Sequence, residues 1–130
     1  MNTTETRPTV MVVDDSEDIR ELVRLQLTRL GYRVIEASNG REAVDAVGEE
    51  CPALILMDIT MPVLDGLEAT RMIRGMAEKC GVVIIAFTAL HSAGSRASAL
   101  AAGCDDYVQK PVNFGQLSDL LKQHLHGSIQ

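Results

Sequence analysis

The chain has 130 residues, which suits one domain of ordinary size and leaves no room for two. Its hydrophobic fraction of 46% is enough for a buried core, and its net charge of −6 disfavours direct binding to nucleic acid or to an anionic membrane. No apolar run approaches the roughly 20 residues of a membrane helix. Cys51, Cys80 and Cys104 form no C-x-x-C pair, so we expect free thiols in a cytoplasmic protein.

Short apolar runs alternate along the chain with segments of helical periodicity. The runs predict strands at Thr9–Val13, Tyr32–Ala37, Ala53–Met57, Val82–Phe87 and Asp106–Gln109. Helices are predicted from Ser16 to Gly31, from Asn39 to about Val47, after the Asp65-Gly66 turn to about Met76, over about Ala93–Ala102, and from about Asn113 to Leu125. The pattern is a strand followed by a helix, repeated five times.

The first, third and fourth runs are apolar on both faces, which is typical of parallel strands covered by helices on both sides. Right-handed crossovers then place the carboxyl ends of all the strands at one edge of the sheet. We therefore expect an open, doubly wound α/β domain with its ligand site outside that edge.

Polar residues follow four of the predicted strands: Asp14 and Asp15, then Asp58, Thr88 and Lys110. No G-x-G-x-x-G motif follows the first strand, so a dinucleotide site is not indicated. Three neighbouring carboxylates must share a proton or bind a cation, and Mg²⁺ fits their oxygen ligands best. Lys110 and Thr88 would contact oxygens of an incoming phosphoryl group, which leaves Asp58 as the nucleophile.

In these motifs the sequence resembles the receiver domain of two-component response regulators, in particular the single-domain chemotaxis regulators. The matching segments are V-V-D-D-S at 12–16, M-D-I-T-M-P-V-L-D-G at 57–66, F-T-A at 87–89 and D-Y-V-Q-K-P at 106–111. Together they cover nearly the whole chain. The resemblance implies a flavodoxin-like fold whose five parallel strands have the order 2-1-3-4-5.

The resemblance also implies how the phosphoryl group is bound. Asp58 would accept it from a histidine of a kinase or of a histidine phosphotransfer protein. Mg²⁺, for which Mn²⁺ can substitute, would be held by Asp14, Asp15, Asp58 and the backbone carbonyl of Thr60. Lys110 would contact the phosphoryl group.

Four further residues carry implied roles in switching and access. Thr88 and Tyr107 would change a partner-binding face made by the fourth helix, the fifth strand and the fifth helix. Ala89 would leave the site open, and the peptide bond between Lys110 and Pro111 would be cis.

The resemblance implies that the residues two positions after Asp58 and two positions after Thr88, which are Thr60 and Leu90, flank the approach of water to the phosphoryl group. Neither is an acid or an amide, so neither orients a water molecule well. We therefore expect slow loss of the phosphoryl group.

The expected organisation is a flexible leader at 1–8, a receiver domain at 9–126 and a polar tail at 127–130. The polar leader after Met1 favours a free-standing regulator, and a receiver cut from a hybrid histidine kinase or a transcriptional regulator is the alternative. Beyond its own phosphorylation and dephosphorylation we expect no enzyme activity. An aspartate-nucleophile phosphatase of the haloacid dehalogenase type is a remote alternative, because such enzymes need a second acid where this chain has Thr60.

Several other residues have ordinary structural interpretations. His124 and His126 are two positions apart, so they point to different sides of a helix and are expected to be solvated. His91 is expected to be exposed. The methionines Met57, Met72 and Met76 are expected to fill the core.

Overall fold

The computed structural model describes residues 7–59, 65–76, 81–88, 93–110 and 113–126. Along these ranges the elements are β1 Thr9–Val13, α1 Glu17–Arg29, β2 Arg33–Ala37, α2 Gly40–Glu49, β3 Leu54–Met57, α3 Gly66–Met76, β4 Val83–Thr88, α4 Ala93–Ala102, β5 Asp106–Gln109 and α5 Phe114–Leu121, which a π-helical segment, Lys122–His126, extends. The five strands pair in parallel in the order β2-β1-β3-β4-β5. The predicted doubly wound fold is confirmed.

Strand boundaries differ from the prediction by one residue at four places: the starts of β2, β3 and β4, and the end of β4. β2 begins at Arg33 because the amide of Tyr32 still donates to the carbonyl of Leu27, 3.1 Å away, at the end of α1. β3 begins at Leu54. β4 extends to Thr88, whose carbonyl accepts a hydrogen bond of 2.8 Å from the amide of Lys110. The backbone of this threonine is therefore held in the sheet.

Two apolar layers cover the two faces of the sheet. The layer towards α2, α3 and α4 contains Met11, Val13, Ile55, Met57, Ile84 and Ala86 from the central strands. The layer towards α1 and α5 contains Val10, Val12, Leu54, Leu56, Ile85 and Phe87. Successive residues of a strand point to opposite faces, so strands covered on both sides are apolar throughout.

Two apolar side chains are exposed: Leu22, which belongs to the helical apolar spacing of α1, and Met76, which was expected to fill the core. Leu22 is 53% exposed, because the buried face of α1 is narrower than its apolar spacing indicates and rests on Val23 and Leu27. Met76 is 46% exposed at the end of α3, whereas Met57 is buried and Met72 is half-buried, as expected. Among the described residues, no helix is long and apolar enough to cross a membrane.

The cysteines correct another expectation. Cys51 takes part in a disulfide bond, so the prediction of a free thiol is wrong for this residue; Cys80 lies outside the described residues. Cys104 is free and buried. Burial raises the pKa of the Cys104 thiol, and its contact with Thr70 opposes this only in part. A protonated, buried thiol is a poor nucleophile.

Arg74 joins the end of α3 to the turn between α4 and β5. Its guanidinium donates to the carbonyls of Gly103 and Val82, at 2.8 and 2.6 Å, and pairs with Asp105 at 2.6 Å. Gly103 has a φ of +116°, and a Cβ atom there would lie 2.8 Å from the Cγ of Arg74. This position therefore requires glycine, both because its φ is positive and because a side chain would crowd Arg74.

We expect Gly103→Ala to lower the free energy of unfolding by about 2–4 kcal/mol, since backbone strain and crowding against Arg74 add. Gly31→Ala is the matched control, because Gly31 also has a positive φ, +97°, with nothing within 4 Å of an added Cβ. The control should lose only about 1–2 kcal/mol. Urea unfolding of both variants measures this, and equal losses would contradict the role given to Arg74.

Candidate functional site

Three carboxylates meet at the carboxyl edge of the sheet. The amide of Asp14 donates to the carbonyl of Ala37 at 3.1 Å, and the amide of Asp58 donates to that of Val13 at 3.0 Å, so both acids continue the hydrogen-bonding of their strands. One carboxylate oxygen from each of Asp14, Asp15 and Asp58 lies within 4.8 Å of the others. Asp14 and Asp58 are buried, and Asp15 is exposed. We call these three residues the acid cluster.

Lys110 bridges the two buried acids. Its Nζ lies 2.5 Å from Oδ2 of Asp14 and 3.2 Å from Oδ2 of Asp58. Its ammonium also lies 5.3 Å from the centre of the Phe87 ring, at a distance typical of a cation–π contact. Burial alone lowers the pKa of Lys110, but the hydrogen bond to Asp14 and the charges of Asp58 and Asp14 outweigh it and raise the pKa above 10.5. The lysine is therefore charged at neutral pH, and this stabilisation is lost only as the pH rises through that raised pKa.

Among the described residues, the negative charges of this site outnumber the positive charge that is paired with them. One ammonium faces three carboxylates, of which two are almost fully buried. Like charges this close disfavour full ionisation unless a cation joins them. A hard divalent ion prefers carboxylate oxygens, so the donor set of the acid cluster fits Mg²⁺. Thr60, whose carbonyl was expected to complete the set, lies outside the described residues.

Asp14 is also fixed by the helix that follows it. Its Oδ1 accepts from the amide of Ser16 at 2.9 Å, and its backbone carbonyl accepts from the guanidinium of Arg20 at 2.7 Å. Ser16 caps α1 through a bond of 3.3 Å from the amide of Ile19, as predicted. Arg20 was not among the residues predicted for this site. Its position about one helical turn after the acid pair is the one signal in the sequence that points to it.

Gly66 was predicted only as part of a turn, but it lies directly against the backbone that follows β3. A Cβ atom at this position would be 2.1 Å from the carbonyl oxygen of Asp58 and 2.7 Å from the Cα of Ile59. Asp65 caps α3, since its Oδ1 accepts from the amide of Glu68 at 2.8 Å. The absence of a side chain at Gly66 therefore lets α3 begin beside the backbone of Asp58.

Thr88 and Tyr107 lie on neighbouring strands. Thr88 is fully buried at the end of β4. Tyr107 is half-buried on β5 and packs against the layer that contains α4. The guanidinium of Arg96, on α4, lies 5.9 Å from the centre of the Tyr107 ring. The tyrosine thus contacts the helix that the predicted switch would move.

Four predicted site residues lie outside the described part of the chain: Thr60, Ala89, Leu90 and Pro111. The cis peptide expected between Lys110 and Pro111 falls there as well. So does His91, and the side chain of His126 is not described either.

His124 was expected to be solvated, but its side chain is largely buried. Its Nε2 lies 2.9 Å from Oδ2 of Asp106, and both side chains are largely buried. The π-helical segment after α5 brings the histidine to β5, which its spacing on a regular helix did not indicate.

The match to known proteins is consistent with this geometry. The family model of the response regulator receiver domain matches residues 10–122. The response regulator MprA of Mycolicibacterium vanbaalenii is 38% identical over 108 residues, which are 83% of this chain and 46% of that protein. The chain thus spans about half the length of this relative.

Solved structures show the same likeness. The chemotaxis protein CheY4 of Vibrio cholerae has a TM-score of 0.87 at 30% identity, covering 92% of this chain and 100% of that one. The receiver domain of sensor histidine kinase PA1611 from Pseudomonas aeruginosa was solved with a magnesium ion in its active-site cleft. Its TM-score is 0.83 at 36% identity, and the match covers 92% of this chain and 98% of that one. The receiver domain of Ssk1 from Saccharomyces cerevisiae was solved with the phosphotransfer protein Ypd1. Its TM-score is 0.84 at 33% identity, and the match covers 91% of this chain and 88% of that one.

An open parallel sheet with acids and a lysine at its carboxyl edge fits a phosphoryl-accepting signalling domain. The chain belongs to the receiver domains of response regulators, and it is a phosphoacceptor module of two-component signalling.

The unbalanced acid cluster leads to a stability prediction. Lys110→Met should lower the free energy of unfolding by about 2–4 kcal/mol at neutral pH without divalent ions, because two buried carboxylates lose their cation. Lys122→Met makes the same change at an exposed position and should be nearly neutral. Urea unfolding compares the two. Equal losses would show that Lys110 does not hold the acid cluster together.

Proposed function

We propose that Asp58 is the residue that takes the phosphoryl group. The observation that carries this is its burial between the other two acids and Lys110. The group would pass from a histidine nitrogen to a carboxylate oxygen of Asp58, so a P–N bond breaks and an O–P bond forms. Lys110, 3.2 Å from Asp58, is within reach of an oxygen of the transferred group and would stabilise its charge.

Asp14, Asp15, Asp58 and the backbone carbonyl of Thr60 would hold Mg²⁺ or, in its place, Mn²⁺. The ion supplies positive charge to the phosphoryl oxygens when it is bound. Asp14 is oriented for this by Ser16 and Lys110. The reaction would be confined to the protein's own phosphorylation and dephosphorylation, and Thr60 and Leu90 would leave the phosphoryl group long-lived.

The phosphodonor would be a histidine kinase or a histidine phosphotransfer protein, as the complex of Ypd1 with a similar receiver suggests. The donor must approach the carboxyl edge of the sheet beside α1, where Leu22 and Leu25 are 53% and 48% exposed. These leucines offer apolar area for a docking helix. A negative chain makes direct binding to nucleic acid an unfavourable alternative.

A downstream target protein would bind to a different surface, made by α4, β5 and α5. Thr88 would move towards the phosphoryl group, and Tyr107 would turn inwards and leave Arg96. Ala89 would keep the entrance to Asp58 open, and a cis bond before Pro111 would place Lys110. This change is a shift between two populated states, limited by the contacts that differ between them.

We propose a receiver domain at 9–126 that works in the cytoplasm, either as a free-standing regulator or as part of a hybrid histidine kinase or a transcriptional regulator. Two of the similar proteins illustrate both arrangements, since one is a chemotaxis protein covered in full and one is the receiver domain of a sensor kinase.

Asp58→Asn should fold and lose acid-labile phosphorylation by acetyl phosphate and Mg²⁺, because the amide is not a nucleophile. Asp45→Asn, at an exposed position of α2, should gain one phosphoryl group as the wild type does. Intact mass measures both. Phosphorylation of Asp58→Asn at the wild-type rate would exclude Asp58 as the acceptor.

Thr88→Ala should accept the phosphoryl group but lose most of the response of α4 and β5, because the hydroxyl that couples them is gone. Thr70→Ala is the control, since Thr70 is equally buried but contacts Cys104 instead. Amide chemical shifts before and after phosphorylation measure the response. Equal responses in wild type and Thr88→Ala would rule out this coupling.

A further inference from the structure

Arg20 links the acid cluster to the neighbouring strand β2. Its guanidinium donates to the backbone carbonyl of Asp14 at 2.7 Å and pairs through Nε with Oε1 of Glu36 at 3.1 Å. The side chain is only 16% exposed. We propose that Arg20 is a positioning residue for the magnesium ligands, an inference that rests on the metal-dependent function proposed above.

The bond from Arg20 fixes the peptide group that joins Asp14 to Asp15. The other polar groups of Asp14 are held independently: the amide by Ala37, Oδ1 by Ser16 and Oδ2 by Lys110. The carbonyl is the remaining group, and its direction sets the plane of the next peptide. Asp15 is exposed and follows that peptide directly. Its carboxylate therefore depends on Arg20 for its place relative to Asp14.

Glu36 in turn holds Arg20 in this position. It accepts from Arg20 through Oε1 and pairs with Arg24 through Oε2 at 3.3 Å. Arg24 is one helical turn further along α1 and is 39% exposed. In the described part of the chain, the contacts of Arg24 include Glu36 and not Asp14. Arg24 is therefore a matched control, with the same charge and the same partner but without the bond to the acid cluster.

Charge and position predict opposite effects when Arg20 is removed. A guanidinium near the acid cluster repels Mg²⁺, so its loss should tighten metal binding if only its charge matters. If Arg20 orients the ligands, its loss should weaken binding, as is usual when a group that orients metal ligands is removed. The sign of the change in Mg²⁺ affinity therefore distinguishes the two roles.

The experiment measures the Kd of Mg²⁺ by calorimetric titration of the unphosphorylated protein, with urea unfolding without Mg²⁺ measured alongside. Arg20→Ala should weaken Mg²⁺ binding about tenfold, and Arg24→Ala should leave it unchanged or slightly tighter. Arg20→Lys should recover part of the affinity, since an ammonium can still donate to the carbonyl of Asp14. Glu36→Gln tests the same link from β2 and should weaken binding by a smaller factor.

If the wild type binds Mg²⁺ and Arg20→Ala binds it equally well or more tightly, this inference is overturned and the proposed function stands. A loss of unfolding free energy without a change in Kd would also overturn it, because a purely structural residue behaves in that way. No Mg²⁺ binding by the wild type would overturn the proposed function and this inference together.

Discussion

The fold holds three carboxylates together at one edge of its sheet, and their mutual repulsion is the constraint that the rest of the structure must offset. Lys110 reaches two of them, Asp14 and Asp58, and within the described ranges of the chain this ammonium leaves the three carboxylates short of positive charge. That deficit favours a divalent cation. In the function proposed above, the bound cation would in turn supply the positive charge that a phosphoryl group needs. The apolar layers on both faces of the sheet keep these acids together in the absence of such partners.

The rest of the architecture serves to place the acid cluster. Parallel pairing brings the ends of β1 and β3 side by side, with Val13 level with Met57, so the acids that follow them are neighbours. Ser16 turns the chain into α1 and binds Asp14 as it does so. Gly66 lets α3 begin against the backbone of Asp58. Each of these contacts is local, and together they fix side chains from distant parts of the sequence.

The resemblance to receiver domains implied the strand order. The meeting of Asp14, Asp15 and Asp58 was predicted from the residues themselves, because apolar runs that end in acids are a local signal and parallel topology brings the strand ends together. Long-range side-chain contacts carry no such signal. The bond from Arg20 to Asp14 and the contact between His124 and Asp106 could not be predicted from residue spacing. The exposure of Leu22 and Met76 was missed because apolar periodicity shows which face is buried, not how far burial extends. The disulfide of Cys51 depends equally on where the chain brings a second thiol.

The most direct test of this account uses Mn²⁺ as a paramagnetic probe of the metal site. At a small fraction of one equivalent, we expect it to broaden the amide signals of Asp14, Asp15, Asp58 and Lys110 before those of other residues. Glu49 and Glu50, at the end of α2, should stay sharp because Glu50 pairs with Arg33 at the amino end of β2, at the opposite edge of the sheet. Broadening at Glu49 and Glu50 to the same degree, with no preference for the acid cluster, would contradict the claim that this unbalanced charge is the site of metal binding and phosphoryl transfer.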